Sequence, residues 1–554
     1  MRRPRVQAAV ALFVGSCLVA PVAMDSSHGD ERAERSGAFT EDAAYSARPR
    51  PVAPVEEDPR GPTTDRTATV VTDSAWSWFM DPRVLTTSRA TYFSSVRDTG
   101  DIQVTSVDHG SARLRHAVLQ PDFEPDDHNA PSLSELEDGR IVAFWNAHGL
   151  VPAHYRITMR SGDVTTFGPA LELTGSGLED EGTTYTSIIR LRGAEEQYHL
   201  FTRRSSDDAW VMTTSDDLVT WSPAVRLFAH VDDTSYPYVK FVGTGWRTIH
   251  MAFSDTTARS EEHSSLHHVA LSDGVFRRSD GTAIRTLDEV AGSGGEPPRP
   301  IEPGRATRIH DGRGADGRAR PYDIALDDGD PVVAFTTGNR WTDEWTYRWM
   351  RRTDGVWTGS TLDRSTTDPG GISLRHDDPT RAVLVREGRV EEYRTDDDGR
   401  SWTRRALSST DDNRTPATPW SSGRARGPVS AAWLSGPYEG FRHGAWETSL
   451  TMSTSGRAPL DLRAAWSRAW AKGGPVTVTT TAGVDGPPVA DRTVWLLVTR
   501  PGGEEEWLRS GRTDDRGRVR LSVGGSLPRG SRARLVVPAT SAWGQAVSPA
   551  RTSS

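Results

Sequence analysis

Residues 395–402 read Thr-Asp-Asp-Asp-Gly-Arg-Ser-Trp, the spacing Ser/Thr-x-Asp-x-Gly-x-x-Trp. Asp397 is placed to cap a tight turn, Gly399 to take a positive φ, and Trp402 to pack beneath the hairpin. Residues 215–221, SDDLVTW, are a degenerate copy. Turns of this kind (Asp boxes) join outer strands in the repeated sheets of a β-propeller. Their part there is structural, not catalytic.

The flanking sequence agrees. From about Val70 to Ser455, short apolar runs such as IVAFWNA, QYHLFTR, RTIHMAF and PVVAFTT recur between turns such as EDGR, LSDG and DDGD. Helical periodicity is nearly absent, so the region reads as an all-β array. Its length suits six or seven four-stranded blades at ~40–50 residues each. After it, PVTVTTTAGVDG, RTVWLLVTRPGG and ARLVVPATS alternate as strands. They predict a small immunoglobulin-like β-sandwich over 456–554, with a spacing or attachment role.

The N-terminus, MRRPRVQAAVALFVGSCLVAPVAM, has the basic start and short apolar run of a secretory signal peptide, placed over 1–23. That implies a secreted, extracellular protein. VGSC, ending at Cys17, is the alternative reading as a lipoprotein box. Residues 24–69, rich in Pro, Arg, Glu, Asp and Ser, predict a disordered linker. Cys17 is the one cysteine, so no disulfide or thiol chemistry is expected in the mature chain. No later segment has the length and apolarity of a transmembrane helix.

The formal charge of −9 argues against nucleic acid or an anionic membrane as partner. An anionic ligand would need a local basic patch. Of 66 basic residues only Lys240 and Lys472 are lysine, so a lone arginine carries little information.

Four stretches of the array together resemble a known family. They are DDHNAPSLSELEDGRIVAFWNAHG (126–149), TTYTSIIRLRGAEEQYHLFTRRSSD (183–207), SYPYVKFVGTGWRTIHMAF with SSLHHVALSDGVFRRSDG (235–281), and PGGISLRHDDPTRAVLVREGRVEEYRTDDDGRSW with WLSGPYEGF (369–441). Their order and spacing are similar to the BNR-type repeat family that contains the seven-bladed propeller ulvan lyases of polysaccharide lyase families twenty-four and twenty-five. The resemblance implies a seven-bladed propeller over 70–455. It also implies β-elimination on an anionic, uronate-containing polysaccharide, by a protein expected to be a monomer and to need no cofactor.

Such a reaction has three requirements. The uronate carboxylate must be neutralised, the C5 proton removed, and the departing O4 protonated. The resemblance places Tyr185 as base, with the acid role open to it too, and Arg203 on the carboxylate. His128 and His148 become active-site histidines, free either to neutralise or to move protons. Asn129, Arg204, Tyr238, Lys240 and His250 are expected along the substrate groove. Because Arg204 adjoins Arg203, their register can shift by one. On residue type alone His128 and His148 read as capping or turn residues, and Tyr185, between Thr184 and Thr186, as a core strand aromatic.

His263, His267 and His268 invite a metal reading, a structural zinc or calcium held by His268. Acidic runs such as Asp126-Asp127 read instead as turn chemistry. Two other functions compete: a non-catalytic glycan-binding propeller, and a sialidase-type hydrolase. The second needs an Arg-Ile-Pro motif that this chain lacks.

Overall fold

A computed structural model describes residues 53–57 and 66–553 except 110–113, 195–196, 232–235, 257–262, 340–343, 366–369, 422–426, 443–445, 455–459, 468, 483–491, 504, 523, 538–545 and 549–550. The signal-peptide reading, Cys17 and the boundary at 455/456 lie outside these residues. No described helix is long and apolar enough to cross a membrane.

Between residues 55 and 454 the described chain forms seven sheets of four to six strands. Within most of them, strands consecutive in sequence are antiparallel neighbours. The segment Thr183–Arg190, Tyr198–Arg204, Trp210–Ser215, Val225–Arg226 is one example. First strands pack against first strands of the next sheet: Val84–Thr86 on Ser132–Glu135, that on Thr183–Arg190, and that on Val239–Gly243. The series continues through Arg318–Asp327 and Ile372–Leu374 to Asn413–Ala417. Trp420–Ser421 then pairs in parallel with Val84–Thr86, returning to the start.

Sheets stacked in this way cover both faces of their middle strands. Ile141–Trp145 is therefore buried at every position, and its sequence is a continuous apolar run rather than an alternation. Thr395–Trp402 forms the turn expected of it. The Asp397 carboxylate accepts from the Arg400 and Ser401 amides, Gly399 has φ +76°, and Trp402 is buried.

Two strands fall inside the stretch read as linker. Val55–Glu57 pairs with Trp402–Arg404, and Arg66–Val71 pairs with Ser449–Thr454. The linker reading is corrected there. An outermost strand has one face in water and needs few apolar residues, so RTATVV did not stand out.

Beyond residue 460 two further sheets enclose a separate core that includes Val476, Val478, Val494, Leu496, Leu521 and Leu535.

Candidate active site

The Asp-Asp-His-Asn run is a capped turn leading into Ser132–Glu135. Asp126 has extended φ/ψ, and its carboxylate accepts from the His128 amide at 2.9 Å, starting the single 3-10 turn Asp127–Asn129. His148 follows Ile141–Trp145. The two imidazoles stack with centroids 4.1 Å apart and planes 21° from parallel. Asp126 lies between them: His128 Nδ1 is 2.7 Å from Oδ1, and His148 Nδ1 is 3.0 Å from Oδ2. Arg442, from the far end of the array, donates from Nε to the same Oδ2 at 3.0 Å.

This surrounding sets the charge. Burial alone would lower the His128 pKa, but Asp127 and Asp126 more than offset it and raise it to about 9. Burial works against the Asp126 carboxylate, yet its hydrogen bonds to the two histidines hold it well below the usual carboxylate range. His128 is therefore an imidazolium at neutral pH.

Tyr185 owes its position to a bulge. Thr184 pairs with Arg203 and Thr186 with Thr202, so Tyr185 is the extra residue, at φ +62°. A non-glycine residue there costs about 1–3 kcal/mol and persists only when its surroundings hold it. The Asn146 side-chain amide and the Thr202 hydroxyl donate to the Tyr185 carbonyl at 3.1 and 2.7 Å. The ring is 4.6 Å from Phe79, 5.5 Å from His128 and 5.9 Å from Trp210. Burial pushes the phenol well above its ordinary range and Tyr238 adds to this, while Arg203 opposes. Tyr185 is a neutral proton donor at rest.

Arg203 is sandwiched. Its guanidinium carbon lies 5.0 Å from the Tyr185 ring centroid and 4.9 Å from that of Tyr236. The residue is 7% exposed, and its Nε and Nη1 have no hydrogen-bond partner. The nearest carboxylate oxygen, on Asp208, is 3.6 Å away. A buried guanidinium left with unused donors suits an incoming anion.

His128, His148, Tyr185, Arg203 and Tyr238 line one cavity of about 460 Å³. The other expected residues lie elsewhere. Asn129 is buried and donates to the Glu124 carboxylate and carbonyl. Arg204, the neighbour in register with Arg203, projects away and forms a two-point pair with Asp207. Lys240 is buried on Asp81 at 2.5 Å and donates to the Trp78 carbonyl, so it props the cavity wall and does not line it. His250 and His268 stack on each other inside their sheet.

The metal reading for His268 is corrected. Both its ring nitrogens are engaged, by His250 at 3.1 Å and Ser279 at 2.8 Å, while His267 pairs with Asp255 and His263 is exposed. Among the described residues the set with metal-ligand spacing is Asp126, His128 and His148. It does not fit a divalent cation, because the Arg442 guanidinium already sits 3.0 Å from Asp126 and 3.2 Å from His148.

The residue-level reading missed Asp126, Asp127, Tyr236, Arg320, Tyr438 and Arg442. Tyr438 donates to the Asp127 carboxylate at 2.5 Å, and Arg320 lies over Trp78. Tyr236 and Tyr438 stand within motif stretches, and Arg442 directly follows one.

The model of the BNR repeat-containing family matches residues 90–365, and that region belongs to the family. No curated protein matches the chain. Two solved structures of polysaccharide lyase PL25 ulvan lyase are similar at 13% identity. One has a TM-score of 0.53 and covers 70% of this chain and 95% of its own. The other, bound to GlcA(1-4)Rha3S, has a TM-score of 0.51 with 70% and 94% covered. The polysaccharide lyase Uly1 matches at 10% identity over 73% of this chain and 96% of its own, with a TM-score of 0.45. At such identities the likeness is one of fold, a propeller-type β array.

Proposed function

We propose that the protein is a secreted polysaccharide lyase that cleaves a uronate-containing, ulvan-like polymer by β-elimination. Its catalytic domain is read as a seven-bladed propeller followed by an immunoglobulin-like sandwich. The observation that carries the reading is Arg203: a buried guanidinium with unused donors, in one cavity with a neutral phenol and an imidazolium.

Arg203 receives the uronate carboxylate, and charged His128 adds to the neutralisation, which makes the C5 proton acidic. His148 takes that proton. Its Nδ1 lies 3.0 Å from Asp126 and 3.2 Å from Arg442, and Asp126 fixes the ring as an orienting carboxylate does. The electron pair left at C5 forms the C4=C5 double bond as the C4–O4 bond breaks. Tyr185 protonates the departing O4. Its raised pKa favours this acid role over the base role that the resemblance implied for it.

The test is the ultraviolet absorbance of the conjugated C4=C5 uronate, followed over panels of ulvan, heparinoid, pectin and alginate. The expected outcome is a rise with a uronate polymer, lowered at least ~100-fold by Tyr185→Phe. New reducing ends without absorbance would make the protein a hydrolase. Binding without any cleavage would leave a glycan-binding propeller.

A further inference from the structure

The two sheets beyond residue 460 lie in a region whose charge is opposite to that of the rest of the chain. Residues 456–554 hold fourteen arginines and one lysine against eight acidic residues, a formal charge of +7. Residues 70–455 carry −15, and the whole chain −9. One sheet of the basic region sets Thr493–Thr499 between Glu505–Arg512 and Arg532–Val537. Val494, Leu496, Val498, Ala533 and Leu535 belong to the core. By alternation Trp495, Leu497, Arg532, Arg534 and Val536 take the outer face, and Trp507, which pairs with Leu497, joins them. The Trp495 and Trp507 rings meet edge to face, with centroids 5.9 Å apart and planes at 75°. Leu497 and Val536 are buried there, whereas Trp507 is 54% exposed. Arg534 donates to Glu505 at 3.0 Å and Arg500 to Glu506 at 2.6 Å, so both glutamates are already neutralised.

We propose that this face binds an anionic polysaccharide, with one sugar ring lying on Trp507 and the acid groups of the polymer held by the surrounding arginines. Two observations together define the ligand. A pyranose presents a face of C–H groups, and a tryptophan pair held on a rigid sheet offers the aromatic surface on which such a face packs. The sign of the region then selects an anion. At long range an anionic polymer is repelled by residues 70–455 and attracted by residues 456–554, and the attraction is screened by salt. The basic face therefore holds the polymer to the protein at a place other than the Arg203 cavity. This goes beyond the lyase reading and does not depend on it.

The experiment follows full-length Tyr185→Phe protein, which suppresses turnover, in native gels cast with ulvan, with neutral dextran, or without polysaccharide. Ulvan is expected to retard the protein and dextran to leave it unretarded. Trp507→Ala should raise the dissociation constant by about five- to tenfold at unchanged thermal unfolding, while Trp507→Phe keeps most of the affinity. Arg532→Ser combined with Arg534→Ser should weaken binding by at least about fivefold and make it less sensitive to salt. Trp246→Ala removes the other exposed tryptophan among the described residues, in the acidic region, and should change nothing. Equal retardation of Trp507→Ala and its parent overturns the inference. So does an equal loss in Trp246→Ala, equal retardation by dextran, or tighter binding of duplex DNA or anionic vesicles than of ulvan. Ultraviolet assays of the unmodified protein judge the lyase reading separately: binding through Trp507 without elimination keeps this face and loses the lyase.

Discussion

The molecule contains two stacked histidine pairs, and they differ in one respect. His128 and His148 lie 4.1 Å apart at the cavity, with planes 21° from parallel; His250 and His268 lie 5.3 Å apart within a sheet, also at 21°. The first pair shares the Asp126 carboxylate, with Asp127 beside it. The second has a serine hydroxyl, and the nearest charge acting on it is Arg352. The pKa of His128 is accordingly raised to about 9. That of His250 is lowered to about 4 by burial and then Arg352, and that of His268 is pushed well down by burial, His250 and Arg352. Burial is common to both pairs. The carboxylates beside His128, against Arg352 beside the inner pair, separate a charged histidine from a neutral one, and so a chemically useful pair from a structural one.

Removing that carboxylate should have the largest effect. Asp126→Asn is expected to lower kcat/KM by about 10²–10³-fold, since one replacement unfixes both imidazoles and frees Arg442. Titration of the His128 ring by NMR should show its pKa falling from about 9 toward the ordinary 6.5, with Asp127 still holding it up in part. An unchanged His128 pKa would mean that Asp126 is not what separates the pairs.

The pairs should also oppose one another in the pH dependence of stability. A raised pKa contributes stability that is whole below 6.5 and disappears as pH climbs through 9, which is the His128 limb. A lowered pKa contributes stability present above 6.5 and lost as pH falls through 4, the His250 limb. Thermal unfolding should thus peak near pH 6.5, with slopes of up to about 1.4 kcal/mol per pH unit per group. His250→Gln should lessen the loss between pH 6.5 and 4 and leave the alkaline limb, with His268, His199 and Asp126 supplying the rest of the acid limb. If the loss over that window is unaltered, His250 does not contribute to it.

The smallest effect concerns the inner pair alone. Ser279 is bonded to His268 Nδ1 and accepts from Trp357 Nε1 at 2.8 Å. Ser279→Ala leaves buried polar groups unpaired and should cost about 1–3 kcal/mol in denaturant unfolding, with kcat/KM unchanged. A fall in activity at unchanged stability would join the two pairs functionally.

The all-β array was legible because its signals are local. A capped turn such as Thr395–Trp402 and a buried run such as Ile141–Trp145 each declare themselves within a few residues. The convergence of His128, His148, Tyr185, Arg203 and Tyr238 came from motif order, and these five do line one cavity. Arg204, Lys240, Asn129 and His250 were placed on the groove by the resemblance, and His268 by its histidine cluster. Arg204 shows why one of these fails: side chains one residue apart on a strand face opposite ways, so it points away from the cavity that Arg203 lines. Tyr185 shows the limit from the other side: nothing in TTYTS announces a bulge, because a bulge depends on the partner strand.

Determined by the sequence itself, then, were the repeated short strands, the turns between them and the residue types available for chemistry. Tertiary structure alone decided which histidines carry charge and which arginine keeps free donors. Strand and turn formation depends on neighbours a few positions away. Charge state depends on what lies within a few ångströms, and here Arg442 reaches Asp126 from 316 positions along the chain.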